Sequence, residues 1–214
     1  MYLIELLNMD INKDQNTEQT ILEAAEKLFL DKGFAMTTTT EIAKAVGCNQ
    51  ALVHYYFRTK EKLFTTIFEH KAKLFISQFI KVSEEEIPFM DKLKLKIEAH
   101  FDIMKDNPKL PFLLFNEITT NPERAKSIKE ALSYIPKTIF AKLQEELKVE
   151  IENGRIRPIS TFDLIYTIIS LNVVLFIAKP IFESVFDFSP QEYSDFIERR
   201  KHENVKIIIE SLKP

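Results

Sequence analysis

Residues 37–63 read TTTTEIAKAVGCNQALVHYYFRTKEKL, and the fold turns on them. Thr38 and Glu41 have the spacing of a capping box, in which a hydroxyl caps the first amides of a helix and a carboxylate reaches back. Ile42, Ala43 and Val46 then give one buried side to a helix of about two turns, and Gly47 ends it. Asn49 is a good N-cap for a second short helix through about Tyr56. On that helix Val53 and Phe57 lie four apart and face the core with Cys48, which leaves Gln50, Ala51, His54 and Tyr55 on the outward face. Two short helices separated by Gly47, Cys48 and Asn49 match a helix-turn-helix.

Upstream, Ile21, Ala25, Leu28 and Phe29 predict a helix from about Glu18 to Lys32, capped at Asn16 or Thr17 and ended by Gly33. Residues 1–15 then form a short arm, or translation begins at Met9. Downstream, Thr59 caps a fourth helix carrying Leu63, Phe64, Ile67, Phe68, Leu74, Phe75 and Phe79. The acidic run Glu84 to Glu86 and Pro88 mark a loop, and every later segment reads as helix. Helices are expected over 88–105, 112–119, 121–153 with a bend at Pro136, and 161–178. Ser189, Pro190 and Glu192 open a last helix whose apolar face is Val205, Ile208, Ile209 and Leu212. The expectation is an all-α chain: an N-terminal helix-turn-helix domain over 1–62, with its arm at 1–15, and a larger helical domain over 63–214.

Composition narrows the function. The 214 residues are 45% hydrophobic and 29% charged, an ordinary globular balance. Three glycines are too few for a phosphate-cradling loop or a dinucleotide fingerprint. The lone Cys48 permits no internal disulfide, which fits a reducing cytoplasm. The net charge of −3 hides a local excess, since Lys44 to Lys73 holds six cations (Lys44, Arg58, Lys60, Lys62, Lys71, Lys73) against Glu61 and Glu69. Such a patch is a candidate phosphate-binding surface. No basic start precedes the N-terminal apolar residues, so no signal peptide is read. The apolar run Leu164 to Ala178 is short of the ~20 residues that span a bilayer, so no membrane partner is expected. Zinc spacings, di-iron motifs and nucleophile elbows are missing from the sequence, and the reading is no metal, no cofactor and no catalysis.

The segment from Asn16 to Phe68 resembles the DNA-binding domain of the TetR family of bacterial repressors. The residues that carry this are Gly33-Phe34, Thr37-Thr38, Ile42-Ala43, Gly47, Leu52 to Phe57, and Thr59 to Leu63. His54 stands where the family usually has tyrosine, Leu52 where it has a small or hydroxylated residue, Asn49 for serine and Cys48 for valine. The resemblance implies that the outward face of the third helix enters the major groove of double-stranded DNA. Gln50 can pair bidentately with adenine and Ala51 can meet a thymine methyl, so these two are the expected base readers. Asn49, His54 and Tyr55 are expected beside them, His54 and Tyr55 on phosphate or sugar. Lys60 sits at a helix N-terminus and fits the family's phosphate-binding lysine, while Thr37 or Thr38 offers a second clamp.

Beyond Ser83 the resemblance is one of architecture. It implies a cytoplasmic homodimer on a palindromic operator, with a small-molecule inducer held by the C-terminal helices. Phe101, Met104, Phe112, Phe115, Asn116, Tyr134, Phe140, Tyr166 and Asn172 combine apolar surface with a few polar groups, as the lining for a hydrophobic ligand would. The helix at 164–178 is apolar nearly all round, more than one core face can use. It is expected to pair across a two-fold axis with the last helix through Ile165, Ile169, Phe176, Phe196, Val205, Ile208 and Leu212. The function so read is a ligand-released repressor; the alternative is a helical small-molecule or lipid-binding protein that does not act through DNA.

Overall fold

The computed structural model describes residues 2–132 and 134–214, with the side chains of all of these except 2–15, 75, 78 and 131–139. Among the described residues every regular element is an α-helix. The chain divides into two compact units, Met1–Lys71 with Asn116–Ala131, and Ala72–Phe115 with Leu132–Pro214.

The first unit is built on α1 (Tyr2–Met36), α2 (Thr39–Val46), α3 (Gln50–Phe57) and the start of α4 (Lys60–Glu84). Helix α1 begins at Tyr2 and not near Glu18, because residues 2–17 contain no glycine or proline to stop it. It is broken at Gly33, whose φ of 80° a side chain would strain. Ile21, Ala25 and Phe29 of α1 are buried, as are Ile42, Val53, Phe57, Leu63 and Phe64 of the helices that follow. At the centre, the Phe64 ring lies 5.2 Å from Phe29, 5.0 Å from Phe34 and 4.6 Å from Phe68. Leu74, expected among the apolar residues of α4, is exposed.

The same unit takes in the end of α6 (Leu110–Thr120) and α7 (Pro122–Leu132). Ile128 is buried there, and Arg124 places its guanidinium 4.0 Å from the Phe34 ring centroid. Arg124 also forms a 2.5 Å ion pair with buried Glu117, although the pair lacks the alignment of a hydrogen bond.

The second unit contains α5 (Phe89–Asp106), α8 (Tyr134–Glu152), α9 (Thr161–Ile177), α10 (Lys179–Val185) and α11 (Pro190–Ser211). Within the helix expected over 121–153, α7 and α8 lie on either side of residue 133, which is outside the described residues. Gly154, with φ 66°, follows α8, and the chain then passes the end of α11, where the Arg157 amide donates to the Leu212 carbonyl at 2.9 Å. Helix α9 ends at Ile177, close to the expected 178, and Pro180 lies in the first turn of α10; the two helices meet at a 45° bend. Ser189 and Glu192 form the expected capping box of α11. No single helix among the described residues is long and apolar enough to cross a membrane.

Leu93, Ile97, Leu143, Leu147, Leu164, Val205, Ile208 and Leu212 pack into one cluster of this unit, and Phe101, Phe176, Tyr193 and Ile197 into another. A polar chain ties α5, α9 and α11 together. Asn172 Nδ2 donates to the Ile97 carbonyl at 3.2 Å and to His100 Nδ1 at 3.1 Å, while Asn204 Nδ2 donates to Asn172 Oδ1 at 3.0 Å and to the Leu171 carbonyl at 2.9 Å. Both asparagines are fully buried, so each bond spares a desolvated group. Lys96 is buried as well, and donates to Glu146 at 3.0 Å; burial lowers its pKa against the pull of that partner.

Candidate DNA-binding interface

Local capping fixes the two short helices. Thr38 accepts from the Glu41 amide at 3.2 Å and its own amide donates to the Glu41 carboxylate at 3.0 Å, which completes the capping box. Gly47, at φ 77°, ends α2 in the left-handed conformation, and the Cys48 amide turns back to the Ala43 carbonyl at 2.9 Å. Asn49 Oδ1 then accepts from the Leu52 amide at 2.8 Å and starts α3. Val53 and Phe57 are buried as the spacing predicted, whereas Cys48 is only half-buried because it sits in the turn itself. Gln50, Ala51, His54 and Tyr55 are all exposed, with Tyr55 at 71%.

Thr37 does not belong to this surface. It is completely buried, and its hydroxyl lies within bonding distance of two carbonyls at the end of α1, Gly33 at 2.9 Å and Leu28 at 3.2 Å. A helix end leaves carbonyls without intrahelical donors, and Thr37 satisfies them. Thr38 is exposed, but its hydroxyl is engaged by Glu41. The Lys32 ammonium at 2.7 Å and the Thr38 bonds hold the Glu41 carboxyl below the usual carboxylate range. An anion thus already stands at the N-terminus of α2. The amides of Thr39 and Thr40 lie in the first turn, where a helix supplies no backbone acceptor.

Lys60 is turned inward. Its ammonium donates to the Thr37 carbonyl at 2.8 Å and the Phe34 carbonyl at 3.0 Å, and lies 4.2 Å from the Phe34 ring centroid. Here the side chain closes the corner between α1 and α4, and the first-turn amides of α4 are what that helix end offers a phosphate. Lys60→Met should therefore lower stability by about 1–2 kcal/mol, because two carbonyls lose a charged donor. Urea unfolding followed by circular dichroism measures it. An unchanged midpoint and slope would mean that water replaces the ammonium without cost.

Thr39 and Thr40, which the sequence reading passed over, join Gln50. Gln50 Nε2 donates to Thr39 Oγ1 at 2.8 Å, and Gln50 Oε1 accepts from Thr40 Oγ1 at 3.1 Å. The imidazole of His54 completes the group: its Nε2 is 3.2 Å from Gln50 Nε2 and its Nδ1 is 3.0 Å from the Arg58 carbonyl. The sequence signal was the i, i+4 spacing of Gln50 and His54 on the outer side of α3.

The residues expected to line a ligand site differ in their surroundings. Phe112, Phe115 and Tyr166 are exposed, Phe101 packs on Phe176 with Met104 beside that cluster, and Asn172 belongs to the buried polar chain. Asn116 lies in the first unit and donates to Glu117 at 3.4 Å. The side chain of Tyr134 lies outside the described residues. Phe140 does line a pocket of about 450 Å³ with Leu147, Ile151, Ile159 and Phe162.

Of the expected dimer residues, Phe176, Val205, Ile208 and Leu212 are buried in the chain's own core. Ile169 is exposed, and Ile165 and Phe196 are half-buried. The apolar residues of α9 left in solvent are Phe162, Tyr166, Ile169 and Val174, with Ile207 exposed on α11.

A capped two-turn helix, a left-handed glycine turn and a second short helix with a polar outer face define a helix-turn-helix DNA-binding protein. Residues 21–67 match the family described as bacterial regulatory proteins, tetR family. It is 25% identical over 142 residues to the uncharacterized HTH-type transcriptional regulator YhgD of Bacillus subtilis, spanning 66% of this chain and 72% of that protein. It is 26% identical over 113 residues to the fatty acid metabolism regulator protein of Bacillus subtilis, where the match spans 52% of this chain and 58% of the relative. The crystal structure of the transcriptional regulator FadR from Bacillus subtilis in complex with stearoyl-CoA has the same fold, with a TM-score of 0.70 at 21% identity over 91% of this chain and 98% of that one.

Proposed function

We propose that the protein is a homodimeric repressor that binds a palindromic operator in the cytoplasm and leaves it when a small hydrophobic ligand occupies the C-terminal helices. The observation that carries this is the solvent face of α3, where Gln50, Ala51, His54 and Tyr55 stand free of the core beside the open first turns of α2 and α4. The exposed apolar row on α9 supports the dimer, since a monomer would leave it in water. The stearoyl-CoA bound to the fold neighbour supports a long acyl chain as the first ligand to try.

The first unit includes a route for such a ligand to act. Arg124 on α7 and Lys60 at the start of α4 both lie over the Phe34 ring, and Lys60 holds the carbonyls at the end of α1. A shift of α7 would therefore be felt at Phe34 and Lys60 within this unit. Half-sites one turn apart demand about 34–36 Å between reading helices, so a small shift ends simultaneous docking.

Protection mapping on the DNA flanking the gene, at two salt concentrations, tests the reading. Two protected half-sites, affinity falling steeply with salt, and release by stearoyl-CoA are expected. Salt-independent binding, or protection by a monomer in light scattering, would count against it. Protection that stearoyl-CoA leaves untouched would remove the acyl ligand and keep the DNA reading.

A further inference from the structure

Gln50 was expected to read adenine through its amide oxygen and an amide hydrogen together, but both of its hydrogens point elsewhere. Nε2 donates one to Thr39 Oγ1 at 2.8 Å. The other faces His54 Nε2 at 3.2 Å, and the state of that nitrogen follows from the opposite side of the ring. His54 Nδ1 lies 3.0 Å from the Arg58 carbonyl, which can only accept, so Nδ1 carries the proton. In the neutral ring Nε2 is then bare and accepts from Gln50. The Arg58 carbonyl is itself held by the turn, where Arg58 has a φ of 62° and its amide donates to the His54 carbonyl at 2.9 Å. Thr40 takes one lone pair of Gln50 Oε1 at 3.1 Å, and the second lone pair is what remains for the groove.

We propose that His54 and Thr39 are positioning residues that hold Gln50 as an acceptor alone, so that this position of the operator is read by its amino group and not as adenine. This rests on the DNA-binding reading above. In the major groove adenine N6 and cytosine N4 each present a donor, while guanine and thymine present acceptors there. A held Gln50 accepts adenine and cytosine alike and rejects the other two. Freeing either amide hydrogen restores a donor for adenine N7, and the preference narrows to adenine. His54 thus acts through Gln50, in contrast to the phosphate or sugar contact expected of it.

The test is selection from a random duplex pool with the full-length chain as wild type, His54→Phe, Thr39→Val, Gln50→Ala, and each of the first two combined with Gln50→Ala. Wild type should enrich adenine and cytosine to similar extents at one position of each half-site. His54→Phe and Thr39→Val should each raise the adenine-to-cytosine ratio there by roughly fivefold or more. Neither should change anything once Gln50 is alanine. The two variants free the amide by different routes, so Thr39→Val carries the test if His54→Phe loses its fold by circular dichroism. An unchanged ratio in the folded variants overturns the proposal, as does a uniform loss of affinity that persists without Gln50, which would make His54 a backbone contact. If wild type enriches no sequence, the repressor reading fails and takes this proposal with it.

Discussion

Phe64→Ala should cost the first unit about 3–5 kcal/mol, a large share of the roughly 5–15 kcal/mol that holds an ordinary domain together. Phe64 is 1% exposed and its ring touches those of Phe29, Phe34 and Phe68, so the cavity opens where α1 and α4 meet. Phe34 loses its edge-on partner, and with it the support for the carbonyl that Lys60 holds. Operator binding should therefore fall with stability, although Phe64 is buried and touches no DNA. Urea unfolding with a parallel DNA-binding titration measures both, and Tyr55→Ala is the contrast: exposed, it should keep stability. A loss below about 1 kcal/mol for Phe64→Ala would mean that the four-ring cluster collapses to fill the space.

Acid should destabilise the second unit through His100. Burial pushes this imidazole down to about 4, and Asn172 Nδ2 donates to its Nδ1, which favours the neutral ring. The unfolded chain has a histidine of ordinary pKa, about 6.5. Above that value neither state binds the proton and the stabilisation is fully present. As pH falls from about 6.5 towards 4, the unfolded state takes up a proton that the folded state refuses, and stability drops by up to about 1.4 kcal/mol per pH unit. The whole window is worth about 2–3 kcal/mol. His100→Gln keeps an acceptor for Asn172 and removes the titration, so its unfolding midpoint should fall less steeply over the same window. Parallel slopes for wild type and variant would assign the acid sensitivity to other groups.

The two units differ in how much of them could be read from the chain alone. Within 37–63 the deciding interactions span three or four residues: Thr38 to Glu41, Asn49 to Leu52, Val53 to Phe57. Contacts of that range are set by helix geometry, and the residue types announce them. The same holds for Ser189 and Glu192, and for the outward display of Gln50 and His54. The family match rests on this segment too, since the matched residues 21–67 contain it.

What the sequence determined by itself, then, was the helix-turn-helix and the class of partner it addresses; which of several equivalent residues does each task was decided by tertiary structure. Four threonines run from 37 to 40, and only the turn of α1 at Gly33 separates the buried one from the cap and from the pair beside Gln50. Lys60 reads as a phosphate clamp until α1 brings the Phe34 and Thr37 carbonyls to it from 26 and 23 residues away. Helix α9 is apolar nearly all round, so its sequence does not say which side meets α11; in the fold Phe176 goes inward and Phe162, Tyr166 and Ile169 stay in water. Residues 116–131 carry no mark of belonging with the DNA-binding unit, and Arg124 acquires its place only over the Phe34 ring. The physical reason is common to these cases. Periodicity and capping act over a few residues and are written in residue type, whereas packing chooses among chemically similar candidates by the distances the closed fold imposes.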